Sequence, residues 1–213
     1  MLLKKLEMPE FRANVLETLR QPMEERRLTI VRAGAAYEFP ADFMLVAAMN
    51  PCRCGYYPDR SLCRCTQKEV EAYLGRLSRP LLDRIDICTE VDKASYDQLR
   101  GEGESSAAIR SRVEQAVERQ GARFAGTGIR FNSRIPAGEL YRYCRLSLEA
   151  ENLLKKVYEK RTVTARGLHS LIRVSRTIAD LDGSERIEKS HVGEAVFYRG
   201  PREIFRGGEE NGG

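Results

Sequence analysis

The apolar positions fall into two regimes that meet near residue 100. Before it they come in short runs. Phe11, Val15, Leu16 and Leu19 recur with a helical period, which predicts a helix over 10–21 that Pro22 ends. Leu28 to Val31 and Ala36 to Phe39 flank the turn Ala33-Gly34-Ala35 and read as a β-hairpin. Phe43 to Met49 is a nearly unbroken apolar run of strand length, expected to be buried on both faces of a parallel sheet. Gln67 to Leu74 and Ser78 to Asp83 read as short helices, and Ile85 to Val91 as another buried strand. Residues 1–9 suit neither strand nor helix and look like a cut edge.

The polar stretch Gly101-Glu102-Gly103-Glu104-Ser105-Ser106 marks a boundary. Beyond it the apolar spacing turns helical. Ile109, Val113, Ala116 and Val117 mark one helix; Leu148, Leu153, Leu154, Val157 and Tyr158 a second. Leu168, Leu171, Ile172, Ser175, Ile178 and Ala179 mark a third, and Val192, Ala195 and Val196 a fourth, with Ser190 as its N-cap. Gly121 to Tyr143 is loop-rich, and the Gly/Glu/Asn residues from Gly207 on are expected to be disordered. The fold class is α/β followed by all-α, with few strands for a free-standing sheet.

Composition narrows the function. The 213 residues are 42% apolar and 31% charged, a globular balance. There is no Trp and aromatics are 8%, which argues against a base-stacking platform as the main activity. The net charge of +5 permits nucleic acid without demanding it. No apolar run approaches a membrane span and the N-terminus carries no signal-peptide pattern, so a cytoplasmic location is expected. In such a reducing compartment the six cysteines do not suggest a disulfide framework.

Four of them stand close together as C-x-C…C-x-C: Cys52, Cys54, Cys63 and Cys65. Four thiolates can close a tetrahedron around Zn²⁺, with Gly55 supplying the tight turn. Reduced free thiols and disulfides are the alternatives. Cys88 and Cys144 read as core residues. Asn50 ends the apolar strand and Arg84 precedes the next, positions from which polar side chains reach ligands at the edge of an α/β sheet. Asn50 can equally cap a turn before Pro51. Arg84 can equally pair with Asp83 or Asp86 on the surface, and Arg79 is a weaker candidate for its role. On the third helix, Arg166 and Arg173 fall opposite the apolar face, as an anion site or a solvated basic face. His169 and His191 read as surface or packing residues.

The segments LEMPEF, ETLRQPMEE, FMLVAAMNPCRCGYY, RPLLDRIDI and ARGLHSLIRVSRTIADL together resemble the magnesium-chelatase-like AAA+ ATPases of the ComM/YifB type, from Glu7 to Arg199. The resemblance implies an ATPase core with a four-helix lid, assembled as a hexameric ring that uses ATP and Mg²⁺ and acts on DNA. It divides the chain into a partial core over 1–100, a lid over 101–206 and a tail over 207–213. It places the first sensor at Asn50, the arginine finger at Arg84 and the second sensor at Arg166. Glu7 falls on the glutamate that polarises water, while Leu6 falls on the magnesium-holding aspartate, a job leucine cannot do. No G-x-x-x-x-G-K-[ST] loop occurs in the chain, which therefore looks like the C-terminal piece of a longer protein, inactive alone. The hairpin resembles those that point into the pore of DNA motors, with Arg26, Arg27 and Arg32 offering phosphate contacts; a merely solvated hairpin is the alternative. Two rival functions follow. One is metal insertion into a porphyrin by the same machine. The other is a non-enzymatic, zinc-stabilised nucleic-acid-binding module.

Overall fold

Backbone pairing overrides local propensity at the start of the chain. In the computed structural model, residues 3–91, 94–96, 100–101, 103–160 and 163–199 are described, 3–7 and 10 through their backbone alone. Leu3–Glu7 is a strand, β1, parallel to β4 at Met44–Ala48, in the register Leu3↔Met44 through Glu7↔Ala48. The segment that reads as a cut edge is thus part of a sheet, because the neighbouring strand supplies hydrogen bonds that sequence pattern does not reveal. β4 is not buried on both faces as its apolar run suggests. Met44 is 45% and Val46 41% exposed, since among the described residues the sheet has two strands.

The helix expected over 10–21 is two short ones, α1 at Ala13–Thr18 and α2 at Arg20–Glu25. Pro22 does not end the first; it is the third residue of the second, where a missing N–H costs nothing. Arg26 closes α2 in the left-handed region with φ 59°, its N–H donating to the Pro22 carbonyl at 3.0 Å. The hairpin follows as β2 at Arg27–Arg32 and β3 at Ala35–Pro40. Ala33 and Gly34 turn it with φ 51° and 80°, the pair of positive values that a tight hairpin turn of the favoured twist requires.

Two further helices stand on good caps. In α3, Gln67–Leu74, the Thr66 hydroxyl accepts from the Glu69 N–H while the Glu69 carboxylate accepts from the Thr66 N–H. In α4, Arg79–Leu82, Ser78 is the N-cap. Leu77, Leu81 and Leu82 bury against Met8 and Leu16. The residues Ile85 to Val91 form no strand. β-rich sequence needs a neighbour to pair with, and here the Cys88 N–H donates to the Tyr198 carbonyl at 2.8 Å instead. Cys88 is accordingly half-buried rather than a core residue.

The chain divides into two compact units between Ile85 and Asp86. Asp86 joins the second because its carboxylate accepts from the Ser170 hydroxyl at 2.5 Å. This unit holds α5 (Ser106–Arg123), α6 (Leu140–Tyr143), α7 (Leu148–Glu159), α8 (Ala165–Leu181) and α9 (Lys189–Phe197). Ser105, Ser147 and Thr164 cap α5, α7 and α8 with their hydroxyls. α9 begins earlier than expected. Glu188, not Ser190, is its N-cap, and the Glu188 N–H donates to His191 Nδ1 at 2.9 Å. Its core gathers Phe124, Ile135, Leu140, Leu171, Ile172 and Val192 with their neighbours. The expectation for residues 207–213 lies outside the described residues.

A charged hub sits at the end of α8. Asp180 is fully buried and accepts from both terminal nitrogens of Arg123, from Asn132 Nδ2 at 2.7 Å and from Arg176 Nη2 at 3.0 Å. Arg176 is also fully buried and donates to the carbonyls of Ser184 at 2.5 Å and Glu185 at 2.7 Å. Removing the one acid strands two guanidinium groups. Asp180→Ala should therefore cost about 3–5 kcal/mol of stability, the usual penalty for breaking a buried pair. Urea unfolding of the two proteins reads this directly; a loss within the scatter of surface mutations would contradict it.

Candidate metal centre and strand-edge residues

The loop between β4 and α3 brings the four paired cysteines together. Cys52 Sγ lies 3.3 Å from Cys54 Sγ and 3.8 Å from Cys63 Sγ; Cys54 and Cys63 are 3.6 Å apart. All four sulfurs fall within 4.8 Å of one another, Cys65 included. Sulfurs bound tetrahedrally at about 2.3 Å from Zn²⁺ stand about 3.8 Å apart, so this donor set fits the ion with little movement. The separations are far beyond the roughly 2.05 Å of a disulfide, and all four are free thiols.

Local turns explain the convergence. Gly55, at φ 85°, turns the first pair, with its N–H donating to the Cys52 carbonyl at 3.1 Å. Asp59 turns the second: its carbonyl accepts from the Cys63 N–H at 2.8 Å and its carboxylate from the Ser61 N–H at 2.9 Å. Arg60 ties the loop to α3 through the Cys65 carbonyl at 3.0 Å and Gln67 at 2.6 Å. Cys52 and Cys63 bury against Val70 and Leu74, so the thiols form part of a small core. The backbone N–H of Tyr56, then the Cys52 thiol, pull the Cys54 thiol down to about 6. Burial pushes Cys63 up to about 11. Binding a metal requires each of the four thiols to give up its proton. Four protein ligands leave no open position, which is the arrangement of a structural centre.

The parallel register sets a second feature. Glu7 pairs with Ala48, and Asn50 follows two residues later, so both emerge at the carboxyl edge of neighbouring strands. That edge is where open α/β sheets receive ligands. Leu6 stands one step back, paired with Ala47. Asn50 is exposed, and a Cβ on Gly55 would lie 4.0 Å from its Cγ, so the cysteine loop folds back beside it.

Arg84 pairs with neither Asp83 nor Asp86. Its Nε donates to Glu24 Oε2 at 3.0 Å, its Nη2 to the same oxygen, and its Nη1 to the Pro80 carbonyl at 2.6 Å. Its side chain is 12% exposed, against 41% for Glu24. A second tie runs in parallel, from the Ser78 hydroxyl to the Glu17 carboxylate. The segment bearing Arg79 and Arg84 is thereby fastened to α1 and α2, the helices that lead into the hairpin. Sequence reasoning missed Glu24 because nothing in local spacing joins residues sixty positions apart.

The other arginines have distinct surroundings. Arg166 is the second residue of α8, in the second unit, and is half-buried. Beside it, a Cβ on Gly167 would meet Val163 Cγ1 at 2.6 Å and Arg199 Nη2 at 2.9 Å, so the first turn of α8 carries a second guanidinium against its backbone. Arg173 is turned to the Ile135 carbonyl, at 3.1 Å from Nε and 2.8 Å from Nη2. On the hairpin, Arg27 lies 3.8 Å from Glu25 and 3.6 Å from Glu38, Arg26 caps α2 and Arg32 is exposed at the tip. His191 is buried, 3.2 Å from Asp182. Cys144 is buried, which pushes its thiol up to about 11. Among the described residues no helix is long and apolar enough to cross a membrane.

Comparison with known proteins gives two family matches, to magnesium chelatase, subunit ChlI, over residues 2–99 and to its C-terminal domain over 103–199. The competence protein ComM of Haemophilus influenzae is 40% identical over 196 residues, which cover 91% of this chain and 38% of that protein. YifB of Salmonella typhimurium is 36% identical over the same shares. The DNA replication licensing factor Mcm6 of Drosophila melanogaster is 27% identical over 83% of this chain and 22% of its own length. The chain spans about two fifths of the length of the ComM and YifB relatives.

Proposed function

The chain belongs to the magnesium chelatase ChlI family, and from that premise we propose that it is the sensor, finger and lid portion of a ring-forming AAA+ ATPase that works on DNA. The observation that carries the reading is the β1–β4 register. It brings Glu7 and Asn50 to the same end of neighbouring strands, Glu7 level with Ala48 and Asn50 two residues on, where a glutamate can polarise the attacking water and an amide can contact the γ-phosphate. Arg84 is the finger offered to a neighbour's nucleotide, and Arg166 is the second sensor. The cysteine quartet holds a structural Zn²⁺ beside Asn50.

DNA is favoured over a porphyrin by the exposed hairpin and by the names of two relatives, a competence protein and a DNA replication licensing factor. The porphyrin reading keeps the family's own name in its favour. The test is ATP turnover. The chain alone, with Leu6 at the magnesium position and no phosphate loop in its sequence, should hydrolyse ATP negligibly. A whole-length protein carrying it should hydrolyse ATP faster when DNA is added. Turnover that copurifies with the chain alone, or a whole-length rate indifferent to DNA, would overturn the reading.

A further inference from the structure

The cysteine quartet has an inside and an outside. Cys52 and Cys63 are buried and Cys65 is half-buried, while Cys54 is the one exposed cysteine among the described residues. Its sulfur lies 3.3 Å from that of Cys52 and 3.6 Å from that of Cys63. The surroundings are electropositive. The N–H groups of Tyr56 and Arg64 point to the Cys54 sulfur, and an exposed arginine, Arg53 or Arg64, stands inside each C-x-C pair. Exposure in such surroundings marks a reactive cysteine, whereas burial in an apolar core marks an inert one. The two cysteines outside the quartet differ on the first count: Cys88 is half-buried and Cys144 buried.

We propose that Cys54 is an oxidation site for hydroperoxides, that Cys52 closes a disulfide on it, and that the loop then gives up its metal. The metal step rests on the structural zinc proposed above; the oxidation step does not. With hydrogen peroxide as oxidant the chemistry balances. The Cys54 thiolate attacks one peroxide oxygen, an S–O bond forms, the O–O bond breaks, and the departing hydroxide takes up a proton to become water. Sulfur has given two electrons to the peroxide and is a sulfenic acid. The Cys52 sulfur then attacks the Cys54 sulfur. An S–S bond forms, the S–O bond breaks, and the hydroxyl leaves with the Cys52 proton as a second water. Geometry selects Cys52 for this step. Its sulfur is the nearest, and residues 52–55 already form a turn closed by the Gly55 N–H on the Cys52 carbonyl at 3.1 Å. The first and third Cα atoms of such a turn fall within the roughly 4.4–6.8 Å that a disulfide spans. A bond there removes two of the four ligands that a structural zinc needs. Cys52 shares a core with Val70 and Leu74, and Gly55 lies beside Asn50, so the oxidised loop carries the change to the strand edge.

The test uses the reduced chain, loaded with zinc and freed of unbound metal. Its zinc content is measured first. Hydrogen peroxide is then added, and released zinc is read with a colorimetric chelator. Tryptic mapping reads the linkage, because trypsin cuts after Arg53, between the two cysteines. A Cys52–Cys54 disulfide keeps the peptide 33–53 joined to the peptide 54–60. Zinc should leave in step with the joined peptide, and dithiothreitol should return both thiols. Dimedone, which captures sulfenic acids, should label Cys54 and leave Cys88 and Cys144 unlabelled. Cys54→Ser should slow zinc release at least about tenfold, while Cys88→Ser should match the parent. If Cys54→Ser holds no zinc, the same mapping on the metal-free parent decides: joined peptides support the site and separate ones overturn it. Zinc and thiols that survive the peroxide, or a disulfide between any other pair, overturn the proposal. If the replete chain binds no zinc yet forms the Cys52–Cys54 bond, the zinc reading falls and the oxidation site stands.

Discussion

Arg84→Ala, made in a whole-length protein carrying this chain, is expected to bind ATP and fail to turn it over. Phosphoryl transfer spreads negative charge over the γ-phosphate oxygens, and a guanidinium from the adjoining subunit offsets it at the transition state. Losing such a finger costs about 10³ to 10⁵ in rate. Binding should survive, because on the proposed reading the finger acts on the neighbour's nucleotide, away from the phosphate loop of its own subunit. The structure sharpens the expectation. Arg84 is held by Glu24 and by the Pro80 carbonyl, so its guanidinium has a fixed place, and acting on a neighbour's phosphate means sharing or leaving the Glu24 contact. Mixing the Arg84→Ala protein with a phosphate-loop variant that retains Arg84 should restore hydrolysis, since each supplies what the other lacks. If mixed rings form and no activity returns, Arg84 acts within its own subunit or only through its tie to Glu24, and the finger passes to Arg79.

Metal analysis of a reduced, metal-replete preparation should find about one zinc per chain. A chelator should then unfold the loop between β4 and α3. The free energy at stake is large, because a structural zinc of this ligand type contributes about 10–16 kcal/mol of apparent binding energy that is also folding energy. Cys63→Ser should lose the metal, since Cys63 is a buried member of the quartet. Cys88→Ser should not, since Cys88 lies in the second unit, in a separate stretch of chain. The damage should reach Asn50, because the first cysteine pair folds back beside its amide and Cys52 and Cys63 share a core with Val70 and Leu74. A replete preparation without zinc would remove the metal from this account.

What the sequence made legible was local. The hairpin, α3, α4 and the helices α5, α7 and α8 of the second unit form where turn chemistry and apolar period place them, because each is specified by residues a few positions apart, while α9 starts ahead of its expected cap. The cysteine spacing likewise carried its own geometry. The larger failures share one cause, dependence on distant chain. β1 exists only through its pairing with β4. Ile85 to Val91, rich in β-formers, has no strand beside it and stays irregular. Arg84 meets Glu24, and Arg123 meets Asp180, across long loops that no periodicity reveals. On α8 the apolar face was legible while Arg176 and Asp180, charged and yet buried on it, were not.

The two-stranded sheet has a consequence for how the chain behaves in solution. Among the described residues neither outer edge of the β1–β4 pair is bonded to another strand, and bare edges adhere to one another. The two edges are not alike. β1 reads Leu-Lys-Lys-Leu-Glu in sequence, and lysine is a residue type that discourages edge pairing. β4 reads Met-Leu-Val-Ala-Ala and carries no such residue. One open edge would allow association only in pairs, β4 to β4 about a twofold axis, and sedimentation of the chain at rising concentration reads whether such a pair forms.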